Sequence, residues 1–127
     1  MAGRPVSYDE IEPWDEAVVG AGLLTELSDA ISAYVVMDGP QRDAVALWAV
    51  FAHAHDLRDY APLLILSSPL KRCGKTRLQE TLGRLTPRPQ PTSGITAALF
   101  ARLIEKHRPT LFIDEYDAMA GGDDASR

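Results

Sequence analysis

The chain contains a single cysteine and no long apolar run among its 127 residues. One cysteine, Cys73, excludes an intramolecular disulfide and is compatible with a reducing compartment. No window approaches the roughly 18 consecutive apolar residues of a membrane-spanning helix, and residues 1–11 lack the apolar stretch of a secretory signal. The sequence therefore predicts a cytoplasmic protein without a membrane partner.

Potential zinc ligands are also scarce, because the chain has three histidines beside its one cysteine. His53 and His55 stand two positions apart, and on a helix such side chains project in different directions and cannot share an ion. Only His55 and Asp59, four positions apart, could form a pair. For these histidines we favour a capped helix end or a contact with adenine over a metal site.

Charge is unevenly distributed along a chain whose formal net charge is −5. Residues 68–108 contain nine lysines and arginines against two acids, whereas residues 1–67 contain three basic and eleven acidic residues. A basic middle segment suits a triphosphate and also a nucleic-acid backbone. Because no aromatic stacking platform accompanies it, we favour solvated helix-face charges, and nucleic acid remains an open partner. The residues concerned are Arg77, Arg84, Arg88, Arg102 and Lys106.

A phosphate-binding loop is indicated by the string Ser-Ser-Pro-Leu-Lys-Arg-Cys-Gly-Lys-Thr, which follows the apolar run of residues 63–66. The run predicts a buried strand, and a loop that opens a helix after Gly-Lys-Thr surrounds an anion with backbone amides. Lys75 would reach the β- and γ-phosphates, and Thr76 would hold Mg²⁺. Pro69, in place of the usual first glycine, predicts a fixed entry to the loop. The predicted nucleotide-binding residues are Ser68, Pro69, Leu70, Lys71, Arg72, Cys73, Gly74, Lys75, Thr76 and Arg77.

A second motif is the apolar strand predicted for residues 110–113, which ends in Asp114 and Glu115. A carboxylate at the tip of such a strand binds Mg²⁺, so Asp114 and Thr76 are the predicted metal ligands. Glu115 would activate the attacking water. The predicted catalytic residues are therefore Glu115 and Lys75, the latter for its contact with the β- and γ-phosphates. An acidic pair alone is more typical of a helix start. Its combination with Gly-Lys-Thr favours the catalytic interpretation.

Helical periodicity predicts helices at residues 22–37, 77–85 and 96–107. Pro40 predicts the first turn of a further helix, which is apolar on more than one face and therefore largely buried. The prolines at positions 87, 89 and 91 exclude a helix and predict an irregular or edge strand. The resulting alternation of helices and strands is typical of an α/β fold.

With these motifs the chain resembles the N-terminal part of a P-loop ATPase domain of unknown function found in phage, plasmid and actinobacterial primase-helicase-like proteins. The resemblance spans about residues 12–119, and its most specific string is Ser-Pro-x-Lys-Arg-Cys-Gly-Lys-Thr. The other matching residues are Pro13, Trp14, Val18, Gly20, Leu23, Leu24, Ala46, Leu47, Trp48, His53, His55, Ala98, Leu99, Phe100, Asp114 and Glu115.

The resemblance implies a P-loop NTPase core of the additional-strand (AAA+/RecA-like) type with two preceding helices. It implies binding of ATP and Mg²⁺, and ATP hydrolysis in phage or plasmid DNA replication of the helicase or primase type, as a homo-oligomer or within a larger replication protein. The further strand and arginine finger of such a core are missing, so we expect a C-terminally incomplete core. We expect a flexible segment at residues 1–11, the partial domain at 12–119 and a flexible tail at 120–127.

A second interpretation remains open. In it the chain is a catalytically incomplete nucleotide-binding or regulatory module that docks on a larger partner.

Overall fold

The computed structural model describes residues 6–67, 74–92 and 96–114. Contacts between Cα atoms divide the chain into a first unit, Met1–Pro87, and a second unit, Arg88–Arg127. The described part of the first unit contains three α-helices and a short 3₁₀ helix. That of the second unit contains two strands joined through one α-helix. No helix within these described ranges is long and apolar enough to span a membrane.

The helices of the first unit are α1 (Gly20–Ser32), α2 (Gly39–His53) and α3 (Lys75–Leu85), with the 3₁₀ helix His55–Leu57 after α2. The predicted helices that correspond to α2 and α3 are confirmed, and Pro40 lies in the first turn of α2. α1 ends before the predicted position 37. The β-branched Val35 and Val36 disfavour further helix, and Val35 is buried in the connection that follows.

The core of the first unit lies between α1 and the two helices that pack on it, α2 and α3. Ile31 of α1 and Leu82 of α3 are its two largest fully buried side chains, with 0% and 1% exposure. α2 contributes one buried face made mainly of small residues, namely Val45, Ala46, Ala49 and Ala52. Leu47 on the same helix is 56% exposed, so the expectation of a helix buried on several faces is wrong.

The strand predicted for residues 63–66 is absent from the structure, and that prediction is wrong. Leu63 and Ile65 are 83% and 77% exposed, whereas Leu64 and Leu66 between and after them are half-buried. The indole Nε1 of Trp48 donates to the carbonyl of Pro62 at 3.2 Å and holds the start of the segment. Burial thus alternates as in a strand, but no neighbouring strand within the described residues completes a ladder.

The second unit is a β-α-β arrangement of β1 (Pro89–Thr92), α4 (Ala97–His107) and β2 (Thr110–Ile113). These elements confirm the proline-rich strand, the helix and the apolar strand predicted before the acidic pair. The Thr96 side chain accepts a hydrogen bond from the amide of Leu99 and caps α4. β1 and β2 are parallel, with Pro89 opposite Thr110 and Thr92 opposite Ile113.

The prolines of β1 lie on its outer edge. The amide of Thr110 donates to the carbonyl of Arg88 at 3.0 Å, and the amide of Asp114 donates to that of Thr92 at 3.4 Å. Residues 88, 90 and 92 therefore face β2, and the alternate residues Pro89 and Pro91 face away from it. Because proline has no N–H, this edge lacks the two donors that another strand would need, which protects it from unwanted pairing.

Candidate functional site

The predicted phosphate loop ends at Gly74, which lies in a conformation that favours glycine. Its φ is +89° and its ψ is 11°, and it is the residue immediately before α3. Its carbonyl accepts the first hydrogen bond of the helix, from the amide of Leu78 at 2.9 Å. A Cβ added at this position would lie 3.7 Å from Cγ1 of Val35, in ordinary contact. Backbone conformation, rather than lack of space, therefore makes this position suited to glycine.

The first turn of α3 presents three of the predicted site residues, Lys75, Thr76 and Arg77, and all three are exposed. Amides in the first turn of a helix have no acceptor within the helix. No side chain among the described residues caps this end, and no acidic residue occupies the first turn. The amides, the Lys75 ammonium and the Arg77 guanidinium together make this end electropositive, as an anion requires.

Both ends of α3 are held by the first unit. Leu78 and Leu82 bury the inner face of the helix, and Val35 lies beside Gly74 at its start. At the other end, Nε2 of His53 lies 2.8 Å from the carbonyl of Leu85, so this nitrogen donates the hydrogen bond. These contacts of α3 within the first unit fix the position of its N-terminus.

The second unit places Asp114 directly after β2, where its carboxylate is exposed. The buried Thr92 ties the two strands together at this point. Its hydroxyl donates to the carbonyl of Phe112 at 3.1 Å, and its carbonyl accepts from the amide of Asp114 at 3.4 Å. Asp114 therefore lies at the carboxyl edge of the parallel pair, the edge at which α/β proteins bind ligands.

Seven of the predicted site residues lie outside the described residues. They are Ser68, Pro69, Leu70, Lys71, Arg72, Cys73 and Glu115. The described ones form two groups, with Gly74, Lys75, Thr76 and Arg77 in the first unit and Asp114 in the second.

Thr76 of the first unit and Asp114 of the second each carry an oxygen of the kind that Mg²⁺ prefers. A threonine hydroxyl and an aspartate carboxylate are hard oxygen ligands, and both Thr76 and Asp114 are exposed. Among the described residues no three His, Cys, Asp or Glu side chains cluster as a self-contained metal site. A magnesium ion that used one or two protein oxygens together with phosphate oxygens would need no such cluster.

His53 and His55 both bond to carbonyl groups at helix ends, so the helix-end role is confirmed and a contact with adenine stays a prediction. His53 binds the last turn of α3, and Nδ1 of His55 donates to the carbonyl of Ala52 at 3.0 Å near the end of α2. Nε2 of His55 lies 2.9 Å from Oδ1 of the adjacent Asp56, which is its acidic partner in the structure.

Two residues that position the site were missed by the sequence reasoning. Val35, beside Gly74, looks in the sequence like one more apolar residue of α1. Thr92, which ties β1 to the end of β2, looks like a loop residue after the prolines. The signal for Thr92 was its β-branched side chain at the end of an extended stretch.

Comparison of this chain with protein-family models, with curated proteins and with solved structures found no match.

Proposed function

We propose that the chain is a cytoplasmic, ATP-binding P-loop module that hydrolyses ATP in phage or plasmid DNA replication. The observation that carries the proposal is Gly74, whose left-handed conformation leads into a helix that opens with the exposed Lys75 and Thr76. A backbone turn of this kind aims successive amides at one point, where a phosphate is bound. The Gly-Lys-Thr string supports the same assignment.

Each group has a defined task in the proposed reaction. The amides of the first turn and the Lys75 ammonium hold the β- and γ-phosphates of ATP. Thr76 and Asp114 would hold Mg²⁺, which would supply positive charge to the phosphate oxygens. Glu115 accepts a proton from the water that attacks the γ-phosphate in line. Arg77, one residue after Thr76, adds positive charge near the phosphates.

Calorimetry of Mg-ATP binding tests the phosphate site. Lys75→Ala should weaken binding by about ten- to a hundredfold, because a hydrogen bond to a charged group contributes about 1.5–3 kcal/mol. Lys106→Ala is the matched control, since it removes another exposed lysine, in this case from the last turn of α4. Equal binding by the parent and Lys75→Ala would refute the phosphate site.

Two further variants test the metal site and the chemistry. Asp114→Asn should weaken binding of Mg-ATP while leaving binding of metal-free ATP unchanged, because the variant lacks the carboxylate proposed to bind Mg²⁺. Glu115→Gln should keep Mg-ATP binding but stop release of phosphate. Release that persisted in Glu115→Gln would rule out this residue as the base.

The second candidate function is a nucleotide-binding or regulatory module that docks on a larger partner. Its support is the segment of residues 57–65 after α2, in which Leu57, Tyr60, Leu63 and Ile65 are 80%, 89%, 83% and 77% exposed. Exposed apolar side chains in one short segment are typical of interaction sites. Tight Mg-ATP binding without phosphate release by the parent chain would favour this function over the ATPase.

A further inference from the structure

The connection between α1 and α2 lies beside the end of the proposed phosphate loop. Cγ1 of Val35 is 3.7 Å from the position that a Cβ on Gly74 would take, and Gly74 is the last residue before α3. The amides of Tyr34 and Val35 both donate to the carbonyl of Ile31, at 3.1 and 3.0 Å. Since Ile31 is fully buried, these hydrogen bonds fix the start of the connection next to the place where phosphates would be held.

Burial alternates along this connection. Val35 is buried and Met37 is half-buried, so these two side chains anchor the segment on the first unit. The residues that alternate with them are exposed, with 58% exposure for Tyr34 and 100% for Val36, and Asp38 follows at the same spacing. An aromatic ring, an aliphatic side chain and a carboxylate are therefore presented to solvent beside the phosphate loop.

The carboxylate of Asp38 is not used by the helix that it precedes. Asp38 is the N-cap of α2, a position at which aspartate usually accepts a hydrogen bond from the amide of the second or third helical residue. The second residue is Pro40, which has no N–H, and the Asp38 side chain makes no capping hydrogen bond. Its backbone carbonyl accepts from the amide of Arg42 at 2.9 Å. The backbone of Asp38 is thus fixed, while its carboxylate is available to donors outside the helix.

We propose that Tyr34, Val36 and Asp38 form the nucleoside subsite beside the phosphate loop, an inference that rests on the proposed function. The base lies against Tyr34 and Val36, because its flat faces can stack on an aromatic ring and cover an exposed aliphatic side chain. Asp38 accepts hydrogen bonds from the ribose hydroxyls, and bonds of this kind to an ionised group are stronger than neutral ones. The ligand class is therefore a ribonucleoside triphosphate.

The dimensions of the connection fit this assignment. From Val35 to Asp38 the chain spans at most about 10 Å, which is comparable to the length of one nucleoside. Base and ribose can therefore both contact the connection while the phosphates lie at the start of α3.

Calorimetry with Mg-ATP, Mg-dATP and Mg-tripolyphosphate separates the subsite from the phosphate loop. Tyr34→Ala should weaken Mg-ATP binding by about tenfold, as expected for loss of one stacked base, and should leave tripolyphosphate binding unchanged. Tyr34→Phe should bind Mg-ATP as the parent does, because it keeps the ring. Asp38→Ala should remove a preference of about tenfold for ATP over dATP, because dATP lacks the 2′-hydroxyl that the carboxylate would accept from.

The matched controls are Tyr60→Ala and Asp59→Ala. Both remove an exposed residue of the same type beyond the opposite end of α2, a helix of 15 residues and therefore about 22 Å long. Both should bind all three ligands as the parent does. Tripolyphosphate binding by every variant also shows that the phosphate loop is intact, so a loss of Mg-ATP binding alone cannot come from misfolding.

The outcomes distinguish failure of the subsite from failure of the phosphate site. Equal affinity of the parent for ATP and tripolyphosphate, equal losses in Tyr34→Ala and Tyr60→Ala, or a preference for ATP over dATP that persists in Asp38→Ala would each overturn the subsite and leave the phosphate site standing. Binding of neither ATP nor tripolyphosphate by the parent would overturn both.

Discussion

Because Gly74 has a positive φ, its replacement by alanine should destabilise the protein, whereas the same replacement at a glycine within a helix should stabilise it. Gly74→Ala places a Cβ on a residue with φ of +89°, and Gly22→Ala places one on a helical residue of α1 with nothing within 4 Å of the added atom. The same methyl group is added in both variants. The two sites differ in backbone conformation, and this difference decides whether the added methyl group raises or lowers the free energy of unfolding.

The magnitudes follow from that conformation. In Gly74→Ala the new Cβ lies 3.7 Å from Val35, so no steric clash contributes and the left-handed backbone costs about 1–2 kcal/mol. In Gly22→Ala the alanine reduces the conformational freedom of the unfolded chain and favours the helix. This change should raise the free energy of unfolding by about 0.5–1 kcal/mol. The two variants should therefore differ by about 1.5–3 kcal/mol in the free energy of unfolding.

Urea unfolding followed by circular dichroism at the helical wavelength measures both values. Gly74→Ala should lower the unfolding midpoint, and Gly22→Ala should raise it. Gly74→Ala should also weaken Mg-ATP binding, because relief of its strain moves the amides of the first turn of α3. If both variants raised the midpoint, Gly74 would not have a positive φ, and the argument for a phosphate loop at this helix would fail.

The remaining predictions concern the core and the sheet edge. Ile31→Val should lower the free energy of unfolding by about 0.5–1.5 kcal/mol, because Ile31 is fully buried. The control Leu47→Val, on the exposed face of α2, should change the urea midpoint little. Equal effects of the two variants would contradict the core described above. Replacement of Pro89 and Pro91 by threonine should restore two edge donors and increase self-association in analytical ultracentrifugation, and an unchanged sedimentation profile would show that these donors do not face outward.

Elements whose signals are local were predictable from the sequence. Pro40 marked the first turn of α2, and Thr96 stood before an apolar period that became α4. The left-handed turns at Arg88 and Arg108 were not predictable, because the usual signals for a positive φ are glycine and asparagine. In the structure Arg108 ends α4 as its C-cap, with its amide donating to the carbonyl of Ile104 at 3.0 Å, and Arg88 precedes β1 with its carbonyl accepting from the amide of Thr110 at 3.0 Å.

Of the candidate site, the sequence predicted the parts that one short segment determines. Lys75 and Thr76 open α3, and Asp114 follows β2, as expected. The sequence could not indicate Val35 beside Gly74, because that contact joins residues distant in the chain. The sharing of one ion by Thr76 and Asp114 also depends on distant residues, and it stays a prediction for the Asp114→Asn experiment.

Residues 63–66 show why an apolar alternation is not sufficient for a strand. Fixing the backbone of four residues costs about 4–8 kcal/mol, at about 1–2 kcal/mol each. Burial of the exposed Leu63 and Ile65 would return about 3–6 kcal/mol, which leaves the balance near zero. Ladder hydrogen bonds, each contributing about 0.5–1.5 kcal/mol, would then decide whether the strand forms. A strand at residues 63–66 therefore requires a neighbour that both pairs with it and covers its apolar side chains, and this requirement links the proposed ATPase and docking functions.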